Sequence, residues 1–213
     1  MIAQALPDKA LRLADGRTIR LAGLDAESLR LPPIENEEAT LAGAGPADRH
    51  GAVHADLVVE GISLSERLAA EGNARIRPRP GEQACYAALL AAEDAARRAG
   101  LGLWAEPAYA VADASDPEAV APHEGRFAIV SGRVVHAGAS GATLWIDFGA
   151  VWSTDVTLAI PKREGPRFVA SGVAPETLVG QMIRARGVVT AQGGPRIDIT
   201  EPAAIERIDA PKQ

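Results

Sequence analysis

Asp15-Gly16-Arg17-Thr18-Ile19-Arg20-Leu21-Ala22-Gly23-Leu24-Asp25-Ala26-Glu27-Ser28 is the stretch from which the fold of the first half can be read. Asp-Gly is a strong short-range signal for a two-residue hairpin turn, because both positions tolerate positive φ. Ahead of it Leu11 and Leu13 alternate with Arg12. Beyond it Ile19, Leu21 and Gly23 alternate with Thr18, Arg20 and Ala22. The pattern predicts a hairpin whose second strand carries Arg20 on one face and delivers Asp25 at its tip.

Working outward, residues 1–25 predict a short first strand followed by this hairpin. Residues 27–48 lack periodicity, hold Pro32-Pro33 and Gly43-Ala44-Gly45-Pro46, and predict a loop with one short strand near Thr40 and Leu41. Residues 53–59 alternate as a strand, and residues 63–71 read as an amphipathic helix stopped by Gly72. Residues 74–80 are extended, since each proline drives its predecessor out of the helical region. Residues 82–98 form an alanine-rich helix with Arg97 and Arg98 in its last turn and Gly100 beyond it. Cys85, the only cysteine, reads as a small buried residue of that helix and excludes an internal disulfide.

These features together resemble the staphylococcal nuclease (thermonuclease) family, a five-stranded OB barrel with helices that hydrolyses phosphodiesters with calcium. The hairpin carries the resemblance, with the run from Leu64 through Glu71-Gly72-Asn73-Ala74-Arg75-Ile76 to Gly102-Leu103-Trp104. The family's Asp-Gly-Asp-Thr motif corresponds to Pro7-Asp8-Lys9-Ala10, which puts Lys9 where a metal-binding aspartate would stand. Arg20 matches the second-strand arginine, and Asp25 the other metal aspartate. Ser28 takes the place of the catalytic glutamate, and Ala52, in Asp48-Arg49-His50-Gly51-Ala52, that of the second arginine. The family's helix before the fourth strand is deleted or reduced to a turn.

Calcium sites need several carboxylates, and a lysine in the cation's place repels the ion. The resemblance therefore implies a dismantled nuclease, with Arg20 and Glu27 as catalytic remnants and Asp25 as a metal remnant. Without a complete site the bland reading of Arg20 and Asp25, an ion pair tying the hairpin to the barrel, is preferred. No cofactor is then expected, and Ca2+ is required only if the site still works, for example with Glu27 shifted into the base role. His50 and His54, four apart across a turn and strand, read as a solvated pair rather than metal ligands.

Residues 107–124, rich in Ala, Pro and Asp, read as a linker between a first domain at 1–106 and a second at 125–210. The second shows five short strands with a helix at residues 162–171 between the third and fourth, the order of an OB fold. The expected class is mainly β with α (α+β): two small OB-type barrels, the first nuclease-like with two C-terminal helices. The formal charge of −6 divides as −4 before residue 112 (12 basic, 16 acidic) and −2 after (10 basic, 12 acidic). Neither half offers a general electrostatic grip on nucleic acid, so any such site is a local patch. Candidates are Trp145, Arg133, Arg184 and Arg186, the last two facing outward from a strand, with Phe148 and Trp152 as further aromatics, and Arg75 and Arg77 in the first domain.

The readings that remain are a non-catalytic module binding single-stranded nucleic acid or a protein partner, a rearranged calcium nuclease, and a structural subunit. No apolar run approaches a membrane span. No signal peptide is evident in the chain as written, which suits the cytoplasm. Ala3-Gln4-Ala5 has the form of a processing site, and an upstream signal would instead imply a periplasmic or secreted protein.

Overall fold

A computed structural model of the chain describes residues 1–82, 84–151 and 153–208. Two compact units divide it, Met1–Tyr109 and Ala110–Gln213.

The first unit opens with β1 (Ile2–Ala5), β2 (Leu11–Leu13) and β3 (Thr18–Leu21). The Asp-Gly turn is realised as the loop Ala14-Asp15-Gly16, in which Gly16 has φ +88°. The Leu13 N–H donates across it to the Arg17 carbonyl at 2.9 Å. One extra residue thus enters the expected two-residue turn, as in hairpins whose last loop position is left-handed. After a stretch without helix come β4 (Ala39–Ala42), β5 (Ala52–Val59) and β6 (Ile62–Ser63). The sheet runs β1-β2-β3-β5-β4, with β6 also on β5. The β3/β5 pair is parallel. Ala3-Gln4-Ala5 lies within β1, which brings fully buried Ile2 into the core.

Helix α1 (Leu64–Ala70) is capped by the Ser63 hydroxyl, which accepts from the Glu66 N–H at 3.0 Å. It buries Leu64 and Leu68 against the sheet. Helix α2 (Tyr86–Arg98) begins four residues later than the alanine pattern suggests. Cys85 is its N-cap residue and is exposed, not buried. Glu82 falls ahead of the helix because its carboxylate is engaged by Gly23 and His54.

The second unit starts within the expected linker. β7 (Ala112–Asp113) pairs in parallel with β8 (Phe127–Arg133), and α3 (Pro117–Val120) places Val120, fully buried, in the core. Residues 112–123 are therefore folded, because the apolar positions among the alanines and prolines find a core to enter. Next come β9 (His136–Ser140), β10 (Thr143–Asp147), β11 (Thr157–Pro161), α4 (Gly165–Ala170), β12 (Met182–Gln192), β13 (Gly194–Asp198) and β14 (Ile205–Arg207). The order is β7-β8-β12-β13-β11-β10-β9, with β14 also on β12.

The fold is thus mainly β with α, built on two sheets, as expected. Among the described residues, however, neither sheet closes into a barrel. In the second unit the long strand expected across residues 127–136 breaks at Val134-Val135 into β8 and β9, which go to different places in the sheet. Each sheet still keeps a meander followed by a parallel partner, the connectivity of an OB-type unit.

Gly72 and Gly102 meet back to back, with φ of +72° and +53°. A Cβ on Gly72 would lie 2.2 Å from the Leu101 carbonyl oxygen. The Gly72 carbonyl accepts from the Leu103 N–H at 2.9 Å, tying the end of α1 to the chain beyond α2. Gly72→Ala should destabilise the first unit by about 2 kcal/mol or more, since it combines left-handed strain with a backbone clash. Urea unfolding would measure it, and an unchanged midpoint would contradict this account of the junction.

Candidate functional site

Asp25 follows β3 and is completely buried. Its backbone N–H donates to the Arg75 carbonyl at 2.9 Å, and Leu24 bridges to Ile76. Arg75 and Arg77, alternating along the extended segment, therefore aim at the same carboxylate. Arg75 Nη2 lies 3.1 Å from Oδ2 and Arg77 Nη1 3.2 Å from Oδ1. Ser28 adds its hydroxyl, donating to Oδ2 at 2.8 Å. Arg75 is itself buried, its guanidinium 5.1 Å from the Tyr109 ring centroid. Arg75 and Arg77, candidates for phosphate contact in the sequence, are thus both engaged with the Asp25 carboxylate, the first buried and the second half-buried.

Arg20 does not pair with Asp25, contrary to the expected ion pair. Its Nη2 meets Asp8 Oδ2 at 2.5 Å and its Nη1 reaches the Asp8 carbonyl at 3.4 Å, which ties β3 to the loop before β2. Burial tends to raise the Asp8 carboxyl, but hydrogen bonds from the Ala10 N–H and Arg20 prevail and hold it below its usual range. Glu27 is exposed to solvent.

A calcium ion does not fit this arrangement. Both oxygens of Asp25 face guanidinium groups, and the Ser28 hydroxyl is spent on the same carboxylate. Among the described residues no cluster of three or more His, Cys, Asp or Glu side chains is placed to hold a metal.

A pocket of about 310 Å³ lies beside this network, its polar lining supplied by Lys9, Arg20, Asp48, His50, His54 and Arg79. His54 is not simply solvated. Its Nδ1 lies 2.8 Å from Glu82 Oε1, and the other Glu82 oxygen accepts from the Gly23 N–H at 2.7 Å. The Glu82 side chain is 7% exposed. No sequence periodicity announces this pair, because its members lie 28 residues apart.

The second unit holds a larger cavity, about 710 Å³, on the face carrying Trp145, Asp147, Thr157 and Arg196. The pairings Trp145↔Gly138, Asp147↔Thr157 and Thr157↔Arg196 put these residues side by side. Arg196 lies 5.2 Å from the Trp145 ring centroid and is held by Asp198 and Gln192. Asp147 accepts from the Thr157 hydroxyl at 3.1 Å and lies 3.0 Å from His136 Nδ1.

Arg184, Arg186 and Arg133 do not line this cavity. Arg184 and Arg186, expected to face outward, are buried. Glu206 of β14 lies across the ladder from Arg184, and both guanidiniums turn onto its carboxylate, Arg184 at 3.5 Å and Arg186 in closer contact. Arg133 is exposed and donates to the Gly180 carbonyl at 2.6 Å. Phe148 belongs to the core. Trp152 lies outside the described residues. Arg196, which sequence reasoning misses, is the cation that the fold brings to Trp145.

Asp25→Asn should cost about 3–5 kcal/mol of stability, the usual result of removing one partner from a buried ion pair; a variant as stable in urea as the parent would contradict the interior role. The Asp48 carboxyl is held below its ordinary value by hydrogen bonds from the His50 and Ala52 N–H groups. A depressed folded-state value stabilises the protein above the unfolded value and is lost as pH falls through the folded one. The stability advantage of the parent over Asp48→Asn should therefore shrink as pH is lowered from about 5 to about 3. A gap independent of pH in urea titrations would contradict it.

Residues 19–106 match the family model described as staphylococcal nuclease homologue. The match covers less than half of the chain; it begins within β3 and ends inside the first unit. No curated protein matches the chain. The matched residues lie in the first unit, and it is this unit that is similar to the staphylococcal nuclease homologues.

Proposed function

We propose that this protein has given up calcium-dependent phosphodiester hydrolysis and works as a binding module for single-stranded nucleic acid. One observation carries the first half of the reading. The carboxylate that would hold the metal is closed off by Arg75, Arg77 and Ser28 in a fully buried network. A group so engaged cannot be released to a cation without leaving two guanidinium charges uncompensated.

The second half is supported by the cavity of the second unit. Trp145 and the Arg196 guanidinium, 5.2 Å from its ring centroid, put an aromatic ring and a cation side by side on the cavity wall, the two side-chain types on which unpaired bases stack. With a net charge of −6, binding through such a local platform is favoured over a broad phosphate grip.

The test is incubation of the purified chain with single- and double-stranded DNA and RNA, in calcium and then in chelator, scored for cleavage and for retention. Retention of single strands without cleavage is expected. Trp145→Ala should weaken it by about 1–3 kcal/mol, the usual worth of one stacked base. Calcium-dependent cleavage would overturn the first half. Neither cleavage nor retention would overturn the second and turn attention to a protein partner.

A further inference from the structure

The cavity around Trp145 is not lined as a phosphate site. Among the described residues its lining holds one guanidinium, Arg196, against two carboxylates, Asp147 and Asp155. Arg196 is already matched by Asp198, its Nη2 2.5 Å from Oδ1. Asp155 Oδ2 accepts from the Val151 N–H at 2.5 Å, so that carboxylate is turned into its own loop. What the cavity offers a ligand is therefore acceptor capacity on Asp147, not positive charge.

Asp147 is 8% exposed and lies in one row across four strands, between His136 of β9 and Thr157 of β11, with Arg196 of β13 next. Its Oδ1 accepts from the Thr157 hydroxyl at 3.1 Å. Its Oδ2 lies 3.0 Å from His136 Nδ1, which carries the proton because an ionised carboxylate only accepts. A carboxylate has about four lone-pair sites, two on each oxygen. Each oxygen thus keeps one, on a group whose orientation is set by partners on both neighbouring strands. Gly138 makes this possible, since a Cβ there would lie 2.9 Å from His136 Cε1 and displace the imidazole. Gly138 is also the ladder partner of Trp145, with Ala159 on the other side, so the indole stands between small residues.

Trp145 and Asp147 are two positions apart on β10, on one face, with their Cα atoms about 7 Å apart. A purine spans that distance: its rings can rest on Trp145 while one edge reaches Asp147. To use both free lone pairs the edge must present two adjacent donors. Guanine does so, through N1–H and the 2-amino group. Adenine and cytosine each set an amino group beside a ring nitrogen that only accepts. Uracil and thymine flank their single N–H with two carbonyls. Each of these would turn a lone pair toward the carboxylate, leaving a polar group unpaired.

We infer that the cavity selects guanine, stacked against Trp145 with its N1–H and 2-amino group donating to the two oxygens of Asp147. The inference rests on the proposed reading of this cavity as a platform for unpaired bases, and it names the base taken.

The test is binding of labelled thymidine strands with one guanine, hypoxanthine, adenine or cytosine at the centre, followed by fluorescence anisotropy in chelator. The guanine strand should bind about tenfold or more tightly than the adenine and cytosine strands, the discrimination usual for a bidentate contact. Hypoxanthine, which keeps N1–H and lacks the 2-amino group, should fall between them. Asp147→Asn puts a donor where an acceptor is needed and should abolish the preference for guanine over adenine, whereas Trp145→Ala should weaken every strand by a similar factor. The hypoxanthine comparison uses the unaltered protein, so it decides the matter even if the Asp147 variant fails to fold. Equal affinity for the guanine, hypoxanthine and adenine strands would overturn the inference and leave the proposed function intact. Calorimetric titration with guanosine against adenosine covers the reverse case. Guanosine bound in preference by a chain that retains no strand would sink the proposed function and spare this inference; binding of neither strand nor nucleoside would overturn both.

Discussion

The first unit turns on one buried carboxylate facing two guanidiniums. Asp25 has no exposure at all, so its charge is tolerable only while Arg75 and Arg77 stay opposite it. That requirement fixes the path of the extended segment past the end of β3, and with it the Leu24–Ile76 bridge and the hydrogen bond from the Asp25 N–H to the Arg75 carbonyl. The cations that Asp25 faces are thus supplied by its own chain.

Much of this unit can be read in the sequence because its signals are local. Alternation around Asp15-Gly16, the amphipathic pattern of residues 63–71 and the glycine after α1 each act within a few residues, and the strands and helix appear where those signals lie. Partnership at long range is not legible in the same way. The alternation of Arg75 and Arg77 shows that they share a face, but nothing in it names Asp25, 50 residues away from Arg75. The same limit applies to Glu82 and His54. An acidic residue just before an alanine-rich run looks like a helix first turn until its carboxylate is seen on Gly23 and His54.

In the second unit the period-2 pattern locates the strands and fails on their faces. Arg184 and Arg186 alternate as solvent-facing residues should, and β14 then supplies a carboxylate that draws both inward. A lone arginine after Gly-Gly-Pro carries no periodic signal, so Arg196 does not stand out; only the parallel pairing of β11 and β13 brings it to Trp145. Candidates chosen by charge and alternation are thus split among two buried networks, Arg133 on the Gly180 carbonyl, and Trp145 on the wall of the larger cavity.

The folding of residues 112–123 into the second unit has a consequence for how this protein could have been assembled. If β7 and Val120 belong to the same core as Phe168 and Ile183, the segment has to travel with that core in any duplication, fusion or exchange of modules. A genetic join immediately preceding residue 125, where the composition changes, would sever a hydrophobic cluster. One that follows Tyr109 would leave both clusters whole. Compositional seams and mechanical seams are separate properties of a chain, and here they lie about fifteen residues apart, longer than the mean α-helix.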